Sequence, residues 1–272
     1  DNKLPITVFH KVEERDSCMR LTVQLTAAQD VYFNYRQLLS TGYRHDNCQF
    51  YMPGFWYRRN LRSPKKAPSF HTSDSWLVRE DRLSAPLTGI FSEKEKRFMT
   101  VNRLDDFSMD ALATHKEGEI ILSGKTSLGF TGFENQQGIA MLSFGFPYRE
   151  APKSYIRKLT LAPEVEAFQL MKKGESVLLT WEIMESGADD FSDFIQHTWE
   201  HCYDTYAPKP VENSYSIADM KQVLSCFFVN SLVDNQPLVY NSGIHLKVSD
   251  CERNGQAEVG FIGRVLLNAF NA

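Results

Sequence analysis

What this sequence lacks narrows it first. Its five cysteines (Cys18, Cys48, Cys202, Cys226 and Cys251) are odd in number, widely spaced and free of any C-x-x-C pair, which argues against a disulfide framework and the common zinc or redox motifs. Cys202 and Cys226 fall instead at apolar positions of expected helices, where a thiol serves as a small buried hydrophobe. No apolar run approaches the eighteen residues of a membrane-spanning helix. The opening residues, Asp1 to Pro5, lack the hydrophobic centre of a secretory leader. A large excess of either charge is missing too. The 30 Lys and Arg against 34 Asp and Glu leave a formal net charge of -4, giving neither nucleic acid nor an anionic membrane a global electrostatic reason to bind. G-x-S-x-G, G-x-x-x-x-G-K-[ST] and G-x-G-x-x-G are all absent, so serine-hydrolase, P-loop and dinucleotide chemistry find no support. No cofactor is expected.

What is present is enough apolar material for a large core, 42% of 272 residues. From Leu4 to Glu185 the hydrophobic period is mostly two. Leu21, Val23 and Leu25 alternate with polar neighbours, as do Phe98 to Thr100 and the Val177 to Ile183 run, which marks half-buried strands. Glycines 118, 124, 129, 132, 138, 145 and 174 separate short pieces such as Glu119–Ser123, Gly138–Phe146 and Ile156–Leu161. That is the cadence of an antiparallel sandwich, with ten to fourteen strands expected. Ala27 to Leu39 suits a strand or a helix.

One stretch stands apart. Phe50 to Asn60, FYMPGFWYRRN, sets five aromatics and two arginines around a Pro53-Gly54 turn. Arg58 and Arg59 directly beside Trp56 and Tyr57 do not suit a fully buried strand, because charged groups go inside only when paired. A half-exposed stretch of rings and guanidinium donors matches a ligand with apolar faces and hydroxyl or carboxylate edges, as a sugar chain has. The competing reading is core aromatics with snorkelling arginines. Strand alternation puts Trp56 and Arg58 on one face and Tyr57 and Arg59 on the other, and the larger indole favours the first pair as the cleft lining. Arg62, Lys65 and Lys66 extend the basic run, and His71 and Trp76 flank it. The expected substrate-binding set is therefore Trp56, Tyr57, Arg58, Arg59, His71 and Trp76, with an anionic polysaccharide as the functional alternative to a plain solvated loop.

At Asp189 the period changes. Phe191, Phe194, Ile195, Trp199, Cys202, Tyr203 and Tyr206 follow helical spacing, behind acidic Asp189 and Asp190 and ahead of Pro208 and Pro210. A second helix is expected from Ser216, where Ser216 and Asp219 have capping-box spacing and Ile217, Met220, Leu224, Phe227 and Phe228 form its stripe. From Val259, VGFIGRVLLNAFNA would be apolar nearly all round a helix, and such a helix needs neighbours on most sides. The expectation is that this chain is the front of a longer protein.

In its order of elements, and at residue level in DDFSDFIQHTWEHCYDTYAPKP, SIADMKQVL and GIHLKV followed by EVGFIGRVLLNAF, the chain resembles the N-terminal part of bacterial glycoside hydrolases and polysaccharide lyases. These combine a galactose-mutarotase-like super-β-sandwich with an (α/α)6 toroid. The resemblance implies a mainly β fold with C-terminal helices: an antiparallel super-β-sandwich over 1–186, a linker helix and linker over 187–214, and the first helical hairpin of a toroid over 215–272. It also implies a periplasmic or extracellular location, and an acid and base on the toroid. No catalytic residue carries over, and fold analogy alone does not establish function.

Two patterns compete with that reading. His197-Thr198-Trp199-Glu200-His201 fits H-x-x-E-H, an inverted zinc-protease pattern, but helical spacing puts both histidines opposite the apolar stripe and no third ligand is named, so no metal is assigned. Asp74, Glu80, Asp81, Asp105 and Asp106 follow the aromatic stretch, although acidic residues in strand-connecting loops are most often solvated. The leading expectation is a carbohydrate-active protein whose sandwich supports and partly lines a glycan cleft. The alternatives are a non-catalytic glycan-binding or assembly module and, third, a zinc metalloprotease.

Overall fold

Runs of β-branched and aromatic residues with period two produce fifteen strands ahead of the first helix among the described residues. The computed structural model describes residues 4–15, 18–105, 120–123, 126–157, 159–209, 215–231, 240–241 and 257–258. The strands are β1 (Ile6–Arg15), β2 (Cys18–Ala27), β3 (Val31–Phe33), β4 (Tyr35–Arg44), β5 (Cys48–Met52), β6 (Trp56–Arg58), β7 (Trp76–Arg79) and β8 (Leu87–Ser92). They continue with β9 (Arg97–Arg103), β10 (Ile120–Ser123), β11 (Phe130–Gln136), β12 (Ile139–Phe146), β13 (Arg149–Arg157), β14 (Thr160–Met171) and β15 (Ser176–Gly187). One sheet runs β1-β2-β15-β9-β8-β5-β6 and the other β10-β14-β13-β7-β11-β12-β4, with β3 added to β14. All pairings are antiparallel except β10 with β14. Ala27 to Leu39 thus resolves as strand. Ile156 to Leu161, expected as one strand, spans the connection between β13 and β14, where Leu159 has φ 59°.

The chain divides into two units, residues 1–207 and 208–272. In the first, the two sheets pack face to face. Val23 and Leu25 of β2 and Leu179 and Trp181 of β15 meet Phe33, Leu142 and Phe144 from the facing sheet, and Phe50 stacks on Phe133 at 4.0 Å between centroids. Close packing also explains one glycine. A Cβ on Gly132 would lie 2.0 Å from the Trp76 carbonyl oxygen, so β11 approaches β7 only because that position carries no side chain.

Along β15 the alternation stops at Trp181, and Glu182, Ile183 and Met184 are all buried. The outer face there is covered by helix α1 (Phe191–Tyr206). Asp190 caps α1, its carboxylate accepting from the Ser192 and Asp193 amides, and Ala207 ends it in the left-handed region. Phe191, Phe194, Thr198 and Cys202 face inward, with Phe194 between Phe91 and Phe98. Phe194 sits in the space left by Gly89, whose added Cβ would meet its ring at 2.6 Å. The stripe is rotated from the expected one: Trp199, Tyr203 and Tyr206 are partly exposed, and the helix packs into the first unit as its third layer.

In the second unit, helix α2 (Ile217–Ser231) begins with the capping box read from the sequence. The Ser216 hydroxyl accepts from the Asp219 amide at 3.1 Å, and the Asp219 carboxylate accepts from the Ser216 amide at 3.0 Å. Strands β16 (Tyr240–Asn241) and β17 (Ala257–Glu258) pair antiparallel. The apolar run expected to form a helix from Val259 to Ala272 lies outside the described residues.

Candidate functional site

The Phe50 to Asn60 stretch is a hairpin. β5 and β6 pair Phe50 with Arg58, Tyr51 with Tyr57 and Met52 with Trp56 across the Pro53-Gly54 turn. Alternation separates Trp56 from Tyr57, but these two rings face the reverse of the expected way. Trp56 is fully buried, 5.1 Å from Phe133 and 5.8 Å from Trp76, and its indole N–H donates to the Arg58 carbonyl at 2.9 Å. Trp76 is 1% exposed and donates to the Ser73 carbonyl at 3.0 Å. Neither indole can stack on a ligand, because both rings serve the core and both N–H groups already have internal acceptors. Tyr57 is the exposed ring, at 47%. Arg58, with φ 59°, leaves extended geometry, so the alternation that grouped it with Trp56 ends there and it joins Tyr57 outside.

Beyond this hairpin lies an open hollow of about 660 Å³ lined by Gln49, Tyr57, Arg58, Arg59, Asn60, Leu61, Arg62 and Ser63. Its three guanidiniums have different duties. Arg59 is structural: it donates to the carbonyls of His45, Asp46 and Cys48 and lies 5.3 Å above the Phe70 ring. Arg58 rests on Phe191, 4.8 Å from the centroid. Neither Arg58 nor Arg62 forms a direct salt bridge among the described residues, although the Asp190 carboxyl, held low mainly by the Asp193 and Ser192 amides, is also drawn down by Arg58. Asn60 knits the loop by donating to the Phe55 and Pro68 carbonyls and accepting from the Tyr57 amide. His71 contacts the Leu61 carbonyl at 3.0 Å and is absent from the hollow's lining. The hollow thus presents one aromatic face, two guanidiniums in no direct salt bridge among the described residues and amide groups, with no carboxylate in its lining.

Of the acidic residues expected to be solvated, Glu80, Asp81 and Asp105 are held in ion pairs, Asp74 is exposed, and Asp106 lies outside the described residues. Arg79, Glu80, Asp81 and Arg82 end β7 and enter a tight turn. Arg79 clasps Asp81 through two bonds of 2.6 and 2.8 Å, Arg82 pairs with buried Glu150, and Glu80 lies fully buried against Arg103 at 2.7 Å and the Gly129 amide at 2.8 Å. Burial pushes the Glu80 carboxyl up, while Arg103 and the Gly129 amide pull it down. Arg103 also holds Asp105 at 3.1 Å and the Ser127 carbonyl at 3.0 Å. The R-E-D-R run at the end of β7 is a signal for the local Arg79 to Asp81 pair, but it does not reveal the burial of Glu80, whose partner lies on β9. A smaller hollow of about 170 Å³ includes Arg36, Glu134, Arg149 and Glu164, in which Arg36 pairs with Glu134 and Arg149 lies 3.9 Å from Glu164.

The H-x-x-E-H pattern does not converge. His197 turns to Asp193 at 3.4 Å, whereas His201 contacts Glu182 of β15 at 2.7 Å. His201 is therefore not on the solvent face as expected, and the metalloprotease reading loses the paired histidines it needs. Glu182 also accepts from the Cys18 thiol at 3.3 Å and the Thr205 hydroxyl at 3.2 Å. The His201 contact holds the Glu182 carboxyl below its ordinary range, and burial with Glu182 pushes the Cys18 thiol up to about 11.

Fold and site together define a mainly antiparallel β-sandwich protein with a basic, aromatic surface hollow. No protein-family model matches the chain, and no curated protein matches it. Among solved structures it is similar to a candidate aldose 1-epimerase from Klebsiella pneumoniae, at 9% identity and a TM-score of 0.38, over 78% of this chain and 54% of that one. It is also similar to the Slr1438 protein from Synechocystis, at 8% identity and a TM-score of 0.31, over 66% of this chain and 54% of that one. The chain spans about half the length of these structures.

Proposed function

We propose that the chain is the glycan-holding sandwich of a carbohydrate-active protein, and that the hollow beside Tyr57 binds an acidic polysaccharide. The observation that carries this reading is the exposed Tyr57 ring beside Arg58 and Arg62, neither of which is held in a direct salt bridge among the described residues. A pyranose presents C–H groups that lie on an aromatic face, and a uronate or sulfate edge accepts bidentate guanidinium bonds. Glycoside hydrolysis needs two carboxyl groups roughly 5 to 10 Å apart, and the lining of this hollow has none. Its role is therefore binding, with any proton transfer supplied elsewhere, as on the helical toroid that the resemblance implies.

The test is affinity electrophoresis and calorimetry of the chain with a polyuronate, a sulfated glycan and a neutral glucan. Binding to an acidic polymer, weakening with salt, is expected. Arg58→Ala and Arg62→Ala should each reduce affinity about tenfold, since a hydrogen bond to a charged group contributes about 1.5–3 kcal/mol, and Tyr57→Ala should also weaken it. Retention of no glycan at low salt, or equal retention by all three variants, sinks the reading. Turnover of any of these polymers by the chain at about 1 per second or more would place catalysis within these residues.

A further inference from the structure

Three unlike donor atoms meet where α1 crosses the outer face of β2 and β15. The Cys18 Sγ, a Glu182 carboxylate oxygen and a His201 ring nitrogen all lie within 4.8 Å of one another. The convergence follows from register. Cys18 pairs with Met184 across the two strands, so Glu182, two residues away, shares its face. His201 reaches the same spot from above, on a helix fixed by Phe194 against Phe91 and Phe98.

We propose that Cys18, Glu182 and His201 form a binding site for a zinc-like divalent cation. Thiolate, imidazole and carboxylate are the three ligand types zinc takes, and three protein ligands leave a fourth position for water. Bond lengths of about 2.0–2.3 Å put tetrahedral ligands roughly 3.3–3.7 Å apart. The Cys18 Sγ lies 3.3 Å from one Glu182 oxygen and the His201 Nε2 2.7 Å from the other, so a small turn of the carboxylate and an opening of the His201 contact by less than about 1 Å bring Glu182 to ligand spacing from both. Glu182 is anchored by the Thr205 hydroxyl at 3.2 Å, the kind of outer contact that orients a metal-binding carboxylate. On binding, the thiol proton and any imidazolium proton leave to solvent; thiolate and carboxylate then balance the dication, with neutral imidazole as third ligand. Arg15 and Arg20 are the nearby cations that oppose binding. Of the H-x-x-E-H pattern only His201 takes part, its companions coming from strands more than a hundred and from nineteen residues away.

The experiment uses the full untagged chain, stripped with a chelator and titrated with Zn2+ by calorimetry and with Co2+ by absorbance. One ion per chain is expected, with a thiolate-to-cobalt charge-transfer band in the near ultraviolet. C18S should abolish that band, and H201Q should weaken Zn2+ binding by about tenfold or more. Should either variant fail to fold, alkylation of wild-type Cys18 followed by peptide mass decides, since bound Zn2+ must protect that thiol. Absence of stoichiometric binding, cobalt bound without a thiolate band, affinity unchanged in the folded variants, or alkylation unaffected by Zn2+ would each overturn the site and leave the cluster as a hydrogen-bonded clasp between helix and sheet.

Discussion

Arg103→Met removes a guanidinium from beside a carboxylate that is fully buried, while keeping most of the stem's volume. In the native chain Glu80 receives two donors, Arg103 at 2.7 Å and the Gly129 amide at 2.8 Å. Without Arg103 the charge has one donor and no counter-ion, and breaking such a buried pair typically costs about 3–5 kcal/mol. Proton uptake caps the loss. Neutralising a carboxyl with an ordinary pKa near 4.3 costs about 1.4 kcal/mol per pH unit, so roughly 3–4 kcal/mol at pH 7. The sign follows. In the variant the folded-state pKa of Glu80 is raised above its unfolded value, so the penalty is largest at high pH and fades as pH falls toward 4.3. Urea unfolding of wild type and variant, followed by tryptophan fluorescence at pH 7 and pH 5, reads the difference directly. The deficit should shrink by about 2–3 kcal/mol between those pH values, and adding Glu80→Gln should recover much of it at pH 7. A deficit under about 1 kcal/mol that stays flat with pH would refute the view that Arg103 holds a buried charge.

Trp56→Ala should lower stability by about 3–5 kcal/mol, because the indole is fully buried; an unchanged melting temperature would return Trp56 to the surface. His45 is 3% exposed and contacts the Asp74 carbonyl at 3.0 Å, and burial lowers its pKa. Its neutral form belongs to the fold, so its contribution is complete above about pH 6.5 and is lost as pH falls below that value, where the unfolded chain gains the proton first. The melting-temperature gap between wild type and His45→Gln should accordingly narrow from pH 7.5 to 5.5, and a constant gap contradicts this assignment.

Local signals carried the sequence a long way. Asp190 and Pro208 bracket α1, and Ser216 with Asp219 opens α2, because caps act within one turn. Alternation likewise separated Trp56 from Tyr57, but a period of two has no sign. It cannot say which face meets the second sheet, and the larger ring went inward because it removes more apolar area from water. Glu80 was illegible for a different reason. Its partner Arg103 lies on another strand, so its burial is a property of the β7-to-β9 arrangement and not of the R-E-D-R segment. The same holds for Cys18, whose neighbours Glu182 and His201 come from elements far along the chain.

Arg59 holds main-chain carbonyls at His45, Asp46 and Cys48 and covers Phe70. A cation used this way acts as a rivet: it fastens the far wall of the hollow to the turn before β5. Tyr57 and Arg58 are consequently presented on backbone that has already surrendered its freedom during folding. A ligand arriving there meets a finished shape, and the ordering entropy of association falls mainly on the ligand and on the tips of Arg58 and Arg62. Replacing Arg59 would therefore be felt as a slackening of the whole rim, although its own donors are taken up by main-chain carbonyls.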